Sequence, residues 1–181
     1  MPLFYQHNID AHTHLGVWRI EEEESFFMRS VSAQKEISHP YKRLQHLAGR
    51  HLLKVLAPDL PHSSLELTKE GKPVFSEGDL HLSVSHCGNF AAAIVSNKMP
   101  VGIDVELETS RLQAIAPKFL DERETSFLSD WDDFPHMHLQ LLTMLWSAKE
   151  AIFKWYGKGQ VDFRQHIHLC GAITGHPDGE Y

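Results

Sequence analysis

From Pro135 to Tyr156 the chain reads PHMHLQLLTMLWSAKEAIFKWY, with no glycine and no proline after the first position. Such a stretch dictates a long helix: proline suits its first turn, and Gly157 and Gly159 supply the stop. At about 100° per residue, Leu141, Leu145, Ala148, Ile152 and Trp155 form one apolar stripe. A helix with a single apolar stripe needs a second layer to bury it. Glu150 falls almost opposite the centre of that stripe, with Lys154 one turn further on and Trp146 beside them. Glu before Lys at this spacing is a common solvated pair, worth a few tenths of a kcal/mol. The same residues, with Lys149 adjacent, also suit an anion or metal site, and the helix alone does not choose.

Segments with strand periodicity can supply the second layer. In NIDAHTHLGV, Ile9, Ala11, Thr13, Leu15 and Val17 alternate with Asn8, Asp10, His12 and His14, which predicts one half-buried strand. The polar phase then carries His12 and His14 on the outer face, which disfavours a histidine metal site despite a total of 14 histidines. LHLSVSHCG, NFAAAIVSN and VGIDVEL read as further strands, and the short SNKMP loop predicts a hairpin between the last two. VDFRQHIHLCGAITG reads as one or two closing strands. EEEESFFMRSVSAQKEI predicts a helix, and PKFLDERETSFLSD a short helix or helix-turn. SHPYKRLQHLAGRHLLKVLAP predicts a helix capped by Ser38 or His39, with Pro40 in its first turn and Pro58 beyond its end. Helices and strands alternate, so the fold class is α/β or α+β.

Forty-two per cent hydrophobic residues in 181 support one good core or two small halves sharing one. A net charge of −7 argues against nucleic acid as a partner, so an anionic ligand needs a local basic cluster. The helix after Pro40 offers one. Leu44, Leu47, Ala48, Leu52 and Val55 form its apolar stripe, while Arg43, His46, Arg50 and Lys54 gather on another side as a solvated face or an anion-binding ridge. Two distant cysteines, Cys87 and Cys170, suggest reduced thiols and a cytoplasmic protein. No basic-then-apolar leader opens the chain, and no run of 18 apolar residues predicts a membrane span.

GIDVE places Asp104 and Glu106 two apart, on one face of an extended segment. They form an exposed acidic face, or else two oxygen donors for a hard divalent cation. With Glu150 they make three carboxylates able to hold one Mg2+, which keeps positions open for phosphate. Lys149 and Lys154 can then screen phosphate charge. Lys72 of GKP, the Arg43/His46/Arg50 ridge, and Ser85 and His86 of VSHCGN can add anion contacts.

GKPVF, LSVSHCGNFAAAIVS, VGIDVE and WSAKEAIFKWYGKG, in that order, resemble the 4′-phosphopantetheinyl transferases of the longer Sfp type. The resemblance spans roughly Arg43 to Gly159, and the paired GIDVE and WSAKEAIFK motifs are its specific part. It implies a pseudodimer of two similar α/β halves, here 1–98 and 99–181, with the active site in the cleft between them. It implies Asp104, Glu106 and Glu150 as magnesium ligands, and Lys154 and His86 as contacts to the phosphates of coenzyme A. Ser85 and Lys72 match nucleotide-contacting positions, and Arg43 and Arg50 fall, with looser alignment, in the helix that supplies basic contacts. Little chain follows WYGKG, so a small second sheet or a truncated chain is expected. A monomer is the expected state.

The activity implied is Mg2+-dependent transfer of phosphopantetheine from coenzyme A to a serine of an acyl or peptidyl carrier protein. Adenosine 3′,5′-bisphosphate leaves, and Glu150 or a metal-held water takes the serine proton. Lys154 stabilises the charge that develops. A non-catalytic coenzyme A or nucleotide-binding module is the alternative. A cysteine enzyme using Cys87 and His86 is disfavoured, because adjacent strand residues point to opposite faces. Phe119, Leu120 and SFLSDWDDF are candidates for carrier docking.

Overall fold

The computed structural model describes residues 3–32, 37–59, 65–68, 73–75 and 80–170. It is a mixed α/β protein built on a four-stranded antiparallel sheet. The strands are β1 (Leu3–Asn8), β2 (Thr13–Arg19), β5 (His81–Cys87) and β6 (Phe90–Ser96), in the order β1-β2-β6-β5. Two short strands, β3 (Leu65–Leu67) and β4 (Pro73–Phe75), pair separately.

The stretch expected to be one strand at Asn8–Val17 is two strands and a turn. Asp10 Oδ1 accepts from His12 N at 2.7 Å, a local bond that favours a turn over continued extension. The inward phase of β2 is also the other one. Gly16 and Trp18 are buried, with Ile20 just beyond the strand, whereas Leu15 and Val17 are only half-buried. A Cβ at Gly16 would come within 3.1 Å of Leu52 Cδ1, so a helix lies close against this face.

That helix is α2 (Pro40–Leu56), capped as expected by His39, whose ring accepts from Lys42 N. Leu47, Ala48, Leu52, Leu53 and Leu56 bury against Trp18, Ala91, Ala93 and Val95 of the sheet. Val55, placed in the stripe by sequence, is instead 38% exposed. At Gly49 the helix approaches β5 so closely that a Cβ would stand 2.7 Å from Val84 Cγ1. Among its described residues the acidic segment before it forms a short helix, α1 (Glu24–Met28), which inserts the fully buried Phe27.

His51 of α2 sits among Trp18, Phe26 and Phe27, with ring centroids at 4.8, 5.4 and 5.6 Å, and bonds Ser30 Oγ at 2.8 Å. Burial lowers its pKa, with Glu22 opposing and Lys54 assisting. A depressed histidine pKa means the unfolded chain binds the proton more readily, so stability falls as pH drops through the ordinary histidine range. Melting temperature is expected to decline from pH 7 to pH 5 more steeply in the wild type than in His51→Leu. Equal slopes would remove His51 as the cause.

Among the described residues, no strand follows β6. The GIDVE segment joins no ladder, and the expected hairpin with β6 is not formed. Both edges of β6 are already taken, by β2 and β5. The chain instead runs beside β5, where Ile103 N donates to Ser83 Oγ at 3.2 Å. Helices α3 (Arg111–Phe119), α4 (Glu122–Ser129), α5 (Pro135–Tyr156) and α6 (Phe163–His166) follow. The expected closing strands begin as α6, because the Asp162 carboxylate accepts from Arg164 N and Gln165 N and starts a helical turn. The remainder of that segment, from Gly171, lies outside the described residues. No described helix is long and apolar enough to cross a membrane.

Leu112, Phe119, Leu120, Leu128, Leu141, Leu142 and Leu145 form a second core. Phe119 and Leu120 are therefore 1% and 4% exposed and unavailable for docking a partner. The stripe of α5 also differs from expectation at its end, since Trp155 is 51% exposed. The buried face runs through Leu142 and Leu145 to Lys149.

Candidate active site

Three elements meet where α5 passes the end of β5. The segment from Val101 to Leu107 is pressed against α5 at Gly102. A Cβ there would collide with the Ala151 carbonyl oxygen and stand 2.7 Å from Trp155 N. Only glycine permits this approach. Gly102→Ala is expected to push the segment off α5, lowering stability and misplacing Asp104. A urea midpoint equal to the wild type would show that the contact is not needed.

Past Gly102 the segment delivers Asp104 to β5. Ser85 donates its hydroxyl to Asp104 Oδ1 at 2.7 Å, and Lys154 Nζ donates to the same oxygen at 2.6 Å. Lys154 Nζ also donates to Ser85 Oγ at 2.8 Å, closing a three-membered cluster. The Asp104 side chain is 3% exposed and that of Lys154 26%. The other Asp104 oxygen, Oδ2, is buried and has no hydrogen-bond partner among the described residues. Trp146 Nε1 donates to Glu106 Oε1 at 3.4 Å. Glu150, half-buried on α5, has its pKa raised by burial and by the nearby Asp104 and Glu106 carboxylates, against the pull of Lys154.

His86 leaves β5 on the face opposite Ser85. It keeps an exposed edge, yet the atoms packed around the ring desolvate it, and Lys154 and Lys42 add like charge. Burial first, then the two lysines, outweigh the opposing pull of Asp104 and lower its pKa, which favours the neutral imidazole. Burial and Glu106 raise the Cys87 thiol pKa, so Cys87 is not poised as a nucleophile.

The sequence-predicted residues Ser85, Asp104, Glu106, Glu150 and Lys154 are thus brought together, with His86 at their border. The basic ridge is less uniform. Arg43 is held by Glu24 in a two-bond pair at 2.7 and 2.9 Å and by Ile37 O at 3.1 Å. Arg50 is 7% exposed, its Nε has no partner among the described residues, and burial lowers its pKa. A guanidinium in that state is a strong site for an anion. Lys72 lies outside the described residues.

Lys149 is not where an anion could meet it. It is fully buried, and Nζ donates to Glu124 Oε2 at 2.6 Å and to the carbonyls of Phe119, Ile167 and Phe163 at 2.7, 2.8 and 3.1 Å. Glu124 also accepts from Asp121 N and Leu169 N. This ion pair ties α5 to α3, α4 and the α6 segment. Sequence reasoning missed it, although Asp121 and Glu124 carry the spacing of a capping box, which the structure contains.

Asp104, Glu106 and Glu150 offer hard oxygen donors, and the unpartnered Asp104 Oδ2 is chemically suited to a cation. Among the described residues no three His, Cys, Asp or Glu side chains converge closely enough to hold an ion as they stand. Mg2+ does not require that, because it takes part of its octahedron from water and phosphate. The donor set therefore fits the ion.

Residues 100–179 match the family described as the 4′-phosphopantetheinyl transferase superfamily. The chain is 30% identical over 148 residues to a 4′-phosphopantetheinyl transferase of Bacillus subtilis, covering 76% of this chain and 65% of that protein. It is 29% identical over 173 residues to 4′-phosphopantetheinyl transferase Sfp of Bacillus subtilis (strain 168), covering 85% and 74%. With 4′-phosphopantetheinyl transferase gsp of Aneurinibacillus migulanus it shares 29% over 143 residues, 77% of this chain and 56% of the relative. The chain thus spans less than two thirds of the length of the first of these relatives.

Proposed function

We propose, from the likeness of residues 100–179 to the 4′-phosphopantetheinyl transferase superfamily and of the chain to transferases of Bacillus subtilis, that it is a member of that superfamily and transfers phosphopantetheine from coenzyme A to a serine of an acyl or peptidyl carrier protein. The observation that carries this reading is the cluster of Asp104, Ser85 and Lys154, with Glu150 beside it and an unpartnered oxygen on Asp104. It joins a cation-seeking carboxylate to a phosphate-seeking ammonium at one point.

In this proposal Asp104, Glu106 and Glu150 hold Mg2+, which when bound neutralises charge on the pyrophosphate of coenzyme A. Lys154 donates to the phosphate oxygens, where a fixed cation favours the charge that builds as the bond to the leaving group breaks. The ring of His86 donates a hydrogen bond to the same phosphates, and Ser85 orients Lys154. Arg50 binds the remaining phosphate of the nucleotide, helped by Lys72 and Arg43. Glu150 accepts the proton of the attacking serine through a carboxylate oxygen not used to hold the ion. Adenosine 3′,5′-bisphosphate departs. We assign 1–98, which carries the sheet, and 99–181, whose described elements are helical, to two halves that meet at this site in a cytoplasmic monomer.

Mass spectrometry of an apo carrier protein incubated with the chain, coenzyme A and Mg2+ tests the reading. The expected product is a carrier heavier by one phosphopantetheine. An unmodified carrier, with coenzyme A still bound by the chain, would leave only a binding module.

A further inference from the structure

Asp104 has two differently used oxygens. Oδ1 accepts from both Lys154 Nζ, at 2.6 Å, and Ser85 Oγ, at 2.7 Å, while Oδ2 is buried without a partner among the described residues. A carboxylate only 3% exposed needs a counter-charge, and here the ammonium supplies it. The Lys154 stem enters from the end of α5, and its side chain is 26% exposed, so a path to solvent remains. Its four-carbon stem can swing the charge away without moving the helix.

We propose that Lys154 is a built-in counter-cation on Asp104 that a divalent ion must displace, and that the displaced ammonium becomes the donor to the anionic substrate. This rests on the reading of Asp104 as a metal ligand. A divalent ion within coordination reach of Asp104 stands a few ångströms from Nζ, where like charges repel strongly at the effective dielectric of a partly buried site. Lys154 therefore weakens metal binding when no phosphate is present. Once it leaves Asp104 it meets an anion, so the metal and the phosphate help each other through one side chain. Such coupling is reciprocal. Its use is to keep the acidic cluster neutralised between turnovers and to favour metal together with substrate over metal alone.

The test is Mn2+ binding to the full chain without coenzyme A, read from the electron paramagnetic resonance signal of the free ion. Four variants are compared with the wild type, each checked for an unaltered fold by thermal melting: Lys154→Met, Lys154→Gln, Lys154→Arg and Asp104→Asn. Removing the charge in Lys154→Met and Lys154→Gln should tighten Mn2+ by about tenfold or more. Lys154→Arg should stay near the wild type, because the charge remains. Adding coenzyme A should tighten Mn2+ more in the wild type than in Lys154→Met. If Asp104→Asn loses Mn2+ while Lys154→Met binds it no better than the wild type, the displacement proposal is overturned and the metal reading stands. If Asp104→Asn binds Mn2+ as well as the wild type, the metal reading itself fails, and the proposal with it.

Discussion

Glu150→Gln is expected to cut the transfer rate by about a hundredfold or more, the scale of losing one charge contact in a transition state, without weakening the fold. The two effects separate because Glu150 is poorly placed for stability. Burial and the carboxylates of Asp104 and Glu106 raise its pKa. A glutamate whose folded pKa lies above its unfolded value costs stability as pH rises through that range, because the ionised form is disfavoured in the fold. At pH 7 and without metal, Glu150→Gln removes that cost and should melt at the same temperature or higher. Were Glu150 only half of a surface pair with Lys154, the change would cost at most about 0.5 kcal/mol and leave the rate alone. Asp104→Ala should abolish transfer as well, but should also lower stability, because Ser85 and Lys154 lose their shared acceptor. Normal transfer by Glu150→Gln would refute its catalytic assignment.

Lys149→Met is expected to destabilise the helical half by about 3–5 kcal/mol, the cost of leaving one member of a buried ion pair alone. Lys149 is 0% and Glu124 4% exposed, so neither charge can turn to water. Methionine fills the same channel but leaves the carbonyls of Phe119, Phe163 and Ile167 without this donor, and Glu124 with its backbone donors but no counter-charge. Glu124→Gln on the same background should recover part of the loss by removing the stranded charge. Urea unfolding of the single and double variants measures this, and an unchanged midpoint in Lys149→Met would show that the pair is not a structural tie. The change also loosens the roll of α5, so Glu150 and Lys154 should lose transfer activity together with stability.

The adjacent pair Lys149 and Glu150 shows where sequence pattern reached its limit. The long helix, its proline start and its glycine stop were legible, and Gly157 does adopt the left-handed conformation with φ 66°. The helix periodicity placed Glu150 away from the core. It did not identify Lys149 as the residue at the core's centre. A stripe containing lysine reads as polar, and only the arrival of Glu124 and three carbonyls from other elements makes burial of that ammonium tolerable. The same holds for Arg43, whose partner Glu24 comes from α1.

The strand expected at GIDVE and the single strand expected at Asn8–Val17 failed for a related reason. Strand alternation says which residues can share a face, but not which neighbour the backbone will find. Once β6 has β2 on one side and β5 on the other, the next segment cannot pair with it, so it turns to β5 and to α5 at Gly102. At Asn8–Val17 the alternation continued across a turn set by Asp10, so pattern alone joined two strands into one.

By itself, the sequence determined the mixed class of helices and strands, the ends of α2 and α5, and the residue types gathered for an acidic and basic site. These follow from local rules: proline and glycine act on their own backbone, and periodicity acts within one element. Tertiary structure decided which charges meet. Asp104 bonds Lys154 across 50 positions of sequence, and Lys149 bonds Glu124 across 25. The worth of a charge depends on its distance to the opposite charge and on the water excluded between them, and both exist only after the elements have packed.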